Sequence, residues 1–150
     1  MWRSHRIAHA GEPRHGQSRG TVTLDYGRRH CRRVRLATDA GEDVLLDLSR
    51  AVVLRDGDAL VVEEGGHVTV RAAAEACVEL TAATPELLAK LAWHIGNRHF
   101  PAEIRGDCIV IPDDHVIVEM ASGLGASAKR VRMPFNPERG AYSDHGHSHD

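Results

Sequence analysis

Histidine is the residue in this sequence with the most chemistry to offer: eleven of 150 residues are imidazoles. Three of them alternate with small residues and carboxylates in Ser143-Asp144-His145-Gly146-His147-Ser148-His149-Asp150. Imidazole is a ligand for zinc, copper, nickel and iron(II), and small spacers let a chain wrap a cation. Such a segment suits capture and hand-over of a metal better than catalysis, which needs a fixed open coordination position. The competing reading is an inert solvated tail.

A second group is Trp93-His94-Ile95-Gly96-Asn97-Arg98-His99-Phe100-Pro101. His94 and His99 are five positions apart, so on one continuous helix they would point about 140° apart. They are not a helical ligand pair. His94 fits a helix end, where a cationic ring is favoured. His99 lies beyond Gly96, where the chain is expected to leave the helix, and is freer to point outward. A third group is Asp113-Asp114-His115. N-capping and the helix dipole account for carboxylates there; His115 is a candidate secondary ligand with Asp114 as its supporting partner.

Other chemistries find no foothold. There is no GxSxG, P-loop, HExxH or GxGxxG segment, and no regular three-ligand spacing for a hydrolytic zinc centre. Cys31, Cys77 and Cys108 are widely spaced and form no CxxC, so they read as small buried thiols. The net charge is −2 but uneven: residues 1–35 hold nine Arg against two acids, the remainder ten basic against nineteen acidic residues. The run Arg28-Arg29-His30-Cys31-Arg32-Arg33 has no interleaved stacking aromatics beyond Tyr26. It reads as the outer face of a strand and a protein-docking surface rather than a nucleic-acid site.

The elements that must position these residues change character along the chain. Residues 1–19 are rich in Arg, His, Gly and Ser and are expected to be a flexible arm. Residues 20–73 carry short alternating runs separated by turns such as Arg55-Asp56-Gly57-Asp58, which predicts a small all-β sandwich or barrel-like domain. Residues 74–136 predict strand Glu75–Ala82, a helix opened by Thr84-Pro85-Glu86 with Leu87, Leu88, Leu91 and Ala92 on one face, and a hairpin of Ala102–Arg105 and Cys108–Ile111. A second helix follows from Pro112-Asp113-Asp114 to Gly123, with Val116, Ile117 and Met120 inward, and then strand Ala128–Phe135. That βαββαβ order is the ferredoxin-like arrangement. Residues 137–150 are expected to be a flexible His-containing tail. The fold class expected is therefore α+β, in one or two small domains.

With 42% hydrophobic and 27% charged residues the composition is globular. No apolar run approaches the roughly 18 residues of a membrane span, and the N-terminus has no apolar signal core; a cytoplasmic protein is expected.

The string His94-Ile95-Gly96-Asn97-Arg98-His99-Phe100-Pro101 resembles the HxGNRHxP signature of the urease accessory protein UreE family. Also similar, in order, are Leu54-Arg55-Asp56-Gly57-Asp58-Ala59-Leu60, Asp114-His115-Val116, Met120 with Leu124-Gly125, Pro134-Phe135-Asn136-Pro137-Glu138, and Gly140-Ala141-Tyr142 before the His-bearing end. The resemblance spans residues 20–150. It implies a nickel metallochaperone, not an enzyme, that delivers Ni(II) for assembly of the urease active site. It implies a β domain, often called peptide-binding, ahead of a ferredoxin-like metal-binding domain. It further implies a homodimer in which His99 of each copy meets its twin, with His115 as an auxiliary ligand and His145, His147 and His149 as further donors. The partners implied are the accessory GTPase UreG and the apo-urease accessory complex. Asp113 stands where some relatives carry His, and the tail holds fewer histidines than the richest relatives; both bear on the number of ions held. By donor chemistry Zn(II) or Cu(II) could compete in vitro. The alternative function is nickel or zinc buffering without delivery.

Overall fold

The computed structural model describes residues 1–139. The chain divides into two compact units, Met1–Ala74 and Glu75 onward.

The first unit is one six-stranded sheet. Its strands are β1 (Trp2–Ala8), β2 (Ser18–Leu24), β3 (His30–Ala37), β4 (Asp43–Val53), β5 (Ala59–Val62) and β6 (His67–Ala72). The spatial order is β2-β6-β5-β1-β4-β3. The sheet curls, because the two edge strands approach at one end: Asp39, just after β3, donates its N–H to Thr21 O of β2 at 2.7 Å. Val22, Leu36, Val44, Leu46, Leu60 and Val70 fill the enclosed face. The turn before β5 rests on Asp58, which is 2% exposed. Its carboxylate accepts from Arg55 N at 2.8 Å and Ala10 N at 3.2 Å.

The arm expected over residues 1–19 is not an arm. Trp2–Ala8 is an interior strand, parallel to β4 and antiparallel to β5. Two features hide it in the sequence. A register shift between Ser4 and Arg6 breaks the two-residue period. The buried residues, Ser4 and Ala8, are small, Trp2 and Ile7 are only partly buried against the core, and Arg3, His5 and Arg6 face out. Residues 9–17 are irregular yet tethered, with His67 N–H donating to Gln17 O at 3.0 Å. Part of the basic run lies on a strand face: Arg28 and Arg29 belong to a short 3-10 turn ahead of β3, while Arg33 on the strand pairs with Asp47 at 2.8 Å and Arg35, beyond the run, pairs with Asp43. Arg29, however, is fully buried, its guanidinium 5.7 Å from the Tyr26 ring centroid.

The second unit has strands β7 (Ala74–Thr81), β8 (Glu103–Arg105), β9 (Cys108–Pro112) and β10 (Ser127–Pro134), with helices α1 (Pro85–Asn97) and α2 (His115–Gly123). The sheet order is β10-β7-β9-β8. Each helix starts where its cap predicts. Thr84 Oγ1 accepts from Leu87 N at 3.1 Å, and Asp114 accepts from Val116 N at 3.0 Å and Ile117 N at 3.2 Å. Val78, Leu80, Ile109 and Ile111 of the sheet meet Leu91 and Ile95 of α1 and Ile117 and Ala121 of α2. Val116, expected inward, is 58% exposed; the buried stripe of α2 runs through Ile117 and Ala121 instead.

The segment after β10 is anchored where a tail was expected to begin. Phe135 is fully buried. Asn136 N donates to Glu103 Oε1 at 2.9 Å, Glu138 N to Ala102 O at 2.7 Å, and Ile104 N to Glu138 Oε1 at 3.1 Å. Residues 135–138 thus line the open edge of β8 and satisfy backbone groups that an edge strand leaves unpaired. Among the described residues no helix is long and apolar enough to cross a membrane.

Candidate metal centre

The geometry at the end of α1 accounts for Ile95, Arg98, His99, Phe100 and Pro101 in the string Ile95–Pro101. The helix was expected to stop at Gly96-Asn97, and it ends at Asn97 with Arg98 as its C-cap; Gly96 is not the left-handed residue, and a Cβ placed there would meet nothing within 4 Å. The left-handed residue that ends the helix is His99, with φ +55. Among the described residues it is the only non-glycine with positive φ. His99 N donates to Gly96 O at 3.0 Å and Phe100 N to Ile95 O at 3.3 Å. These are the two hydrogen bonds of a Schellman motif, with His99 in the place glycine usually takes. Arg98 Nη1 donates to His94 O at 3.3 Å, satisfying another terminal carbonyl. Phe100 packs against the core cluster that contains Ile95, and Pro101 cannot extend a helix. A side chain at left-handed φ costs about 1 kcal/mol or more. The fold tolerates that cost at an exposed histidine whose ring makes no hydrogen bond or ion pair with any described residue.

The neighbouring histidine is differently placed. His94 is half-buried, its ring edge-on to Trp93 with centroids 5.1 Å apart. Trp93 itself is 64% exposed. His115 is the first residue of α2 and is exposed. Asp114, a possible supporting partner for it, is occupied with capping, and Asp113 pairs with Arg130 at 3.1 Å.

Among the described residues no three His, Cys, Asp or Glu side chains cluster as a metal site. His99 and His115 therefore do not form a three-donor set with a neighbour from the described chain. His145, His147 and His149 lie outside the described residues. The three cysteines are free and buried. Burial pushes the Cys31, Cys77 and Cys108 thiols up, away from the thiolate a metal needs. Sequence reading missed two features here. The left-handed backbone of His99 has no local signal, since glycine three residues earlier is the more obvious stop. The Glu138 anchor on β8 is a long-range pairing visible only in three dimensions.

Family models match both units: the UreE urease accessory protein N-terminal domain over residues 4–73 and its C-terminal domain over residues 75–150. The chain belongs to the UreE family. It is 53% identical over 130 residues to the urease accessory protein UreE of Azorhizobium caulinodans, covering 85% of this chain and 62% of that protein. It is 48% identical over 126 residues to the UreE of Rhizobium meliloti, covering 84% and 82%. With the UreE of Agrobacterium fabrum the figures are 50% over 132 residues, 87% and 82%. The chain thus spans less than two thirds of the Azorhizobium protein's length.

Proposed function

We propose that this chain is a nickel metallochaperone that carries Ni(II) to urease during assembly of its active site, with His99 as the principal ligand. The observation that carries this reading is the His99 corner: an exposed imidazole with no bonded partner among the described residues, held at a backbone geometry that costs stability. Strain that persists at an exposed polar side chain points to a functional constraint. Membership of the UreE family supports a role in urease maturation.

One imidazole is one donor, and Ni(II) takes four to six. In our reading a second copy of the chain supplies its own His99 across a two-fold axis. The exposed Trp93 beside that corner suits such a contact. Further donors come from His145, His147 and His149, and His115 is an auxiliary ligand. The anchored strap supports a contribution from the tail. Glu138 is hydrogen-bonded to Ala102, three residues from His99, and His145 is seven residues beyond Glu138. Seven extended residues span roughly 23 Å, enough to return to the corner. The βαββαβ order with sheet order β10-β7-β9-β8 supports a ferredoxin-like second domain.

Few, exposed ligands release an ion readily, which a donor protein requires. Handing over nickel then proceeds by ligand exchange, to the accessory GTPase UreG within the apo-urease complex in the cytoplasm. The charged β3 face of the first unit is the proposed contact. Binding needs neutral imidazole, so nickel is released as the solution is acidified. Cu(II) binds such donors more tightly and Zn(II) competes, so selectivity rests on supply and partners.

The test is nickel titration of His99→Ala beside Ser127→Ala. The first variant should lose tight binding and the second keep it; equal binding by both would sink the proposal. Loss of urease activation on deletion, rescued by added nickel, separates delivery from buffering, in which urease is unaffected.

A further inference from the structure

We infer that Phe100 is a positioning residue for the proposed metal ligand: its ring, packed against the core, holds His99 in the left-handed conformation. The inference rests on the reading of His99 as a nickel ligand. A non-glycine residue does not stay at φ +55 unless its surroundings over-determine it. Two backbone bonds close the turn, and one of them is made by Phe100 itself, from its N–H to Ile95 O at 3.3 Å. Backbone bonds at an exposed helix end exchange readily with water, so they do not hold the turn alone. The remaining restraint is apolar. Ile95 is 1% exposed, and Phe100 is half-buried against the same cluster. That places apolar residues at both ends of the Schellman turn, the arrangement that commonly accompanies it. The ring thus fixes the residue after His99, the helix fixes those before it, and the imidazole is carried on a rigid corner. Without the ring the chain relaxes at His99 to negative φ, and the imidazole swings away from its aimed direction.

The test uses the full chain with Ni(II) alone as probe. Phe100→Ala keeps the imidazole and should weaken nickel binding roughly tenfold, the low end of what lost supporting groups cost a metal site. Phe100→Leu restores apolar bulk and should bind within about twofold of the parent, well inside the range that supporting groups control. Leu88→Ala, a cut into the same cluster nearer the start of α1, destabilises the unit and should leave nickel affinity unchanged once the protein is folded. The His99 Cα and Hα chemical shifts report the sign of φ directly and should lose their left-handed signature in Phe100→Ala only. Parent-like affinity or a retained left-handed signature in folded Phe100→Ala overturns the inference. So does an equal loss in Leu88→Ala. If Phe100→Ala does not fold, Phe100→Val takes its place under the same criteria. Failure of the underlying reading looks different: His99→Ala then binds nickel like the parent, whatever Phe100 does.

Discussion

Several histidines of the first unit and two of the second are the same side chain in different surroundings. In the first unit three of the five, His5, His30 and His67, have a ring nitrogen on a protein acceptor, while the exposed His9 lies 3.8 Å from Asp58 Oδ1 and the exposed His15 contributes its backbone O. His5 has Glu63 Oε1 at 2.9 Å from one ring nitrogen and Asp47 O at 3.0 Å from the other. His30 Nδ1 meets Tyr26 O at 3.0 Å, and His67 Nδ1 meets His15 O at 3.1 Å. In the second unit His99 and His115 are exposed at helix ends with no bonded ring partner among the described residues. An imidazole with both ring nitrogens engaged, as in His5, gives up a bond on meeting a metal, whereas His30 and His67, engaged through Nδ1, keep Nε2 for other partners. An imidazole left open loses only water. Surroundings, and not residue type, separate His5 from the ligand candidates His99 and His115.

That contrast breaks most directly at the corner itself. His99→Ala should cut nickel affinity more than the roughly 10- to 100-fold that a lost supporting group costs, while His5→Ala leaves it unchanged; isothermal titration compares them. If His5→Ala bound as weakly as His99→Ala, the division between the two units would be gone.

Stability should move the other way. His99→Gly relieves the left-handed strain and should raise unfolding free energy by about 1 kcal/mol over His99→Ala in denaturant melts. His5→Ala should cost roughly 0.5 kcal/mol, because the ion pair it removes is half-exposed. A stabilising His5→Ala would mean that the bonded histidines contribute nothing.

The thiols sharpen the same point from the side of burial. Burial raises all three, so a thiol-reactive reagent near pH 8 should modify folded protein slowly and unfolded protein fast. Nickel should not protect them.

The smallest effect lies at Asp39. The Thr21 and Thr23 hydroxyls, and less strongly the Arg71 charge, hold its carboxyl below the usual range. A folded value below the unfolded one adds stability above the unfolded value, and that stability is lost as pH falls through the folded value. Thr21→Val with Thr23→Val should therefore flatten the acid limb of the stability curve slightly, with no change in nickel binding.

Legibility in the sequence follows from how local each cause is. Both helices of the second unit could be read because their caps, Thr84 and Asp114, and their apolar spacing act within a few residues. The Arg55–Asp58 turn was legible for the same reason. β1 was not, because a bulge and outward arginines mask a strand whose partners, β4 and β5, begin some forty or more residues later. His99 could be picked out as a metal-binding candidate from its neighbours, but not its backbone geometry.

Residue chemistry and short-range pattern were enough to mark an imidazole-rich chain with candidate metal ligands, two helices with their capping residues, and the edges of most strands. These depend on interactions within a turn or two, which a linear string displays. Only the folded chain decided that the N-terminal residues form an interior strand, that Glu138 covers the β8 edge, and that His99 rather than Gly96 takes the left-handed turn. Each of these is settled by a partner distant in sequence or by core packing, and neither is written in the residues that respond to it.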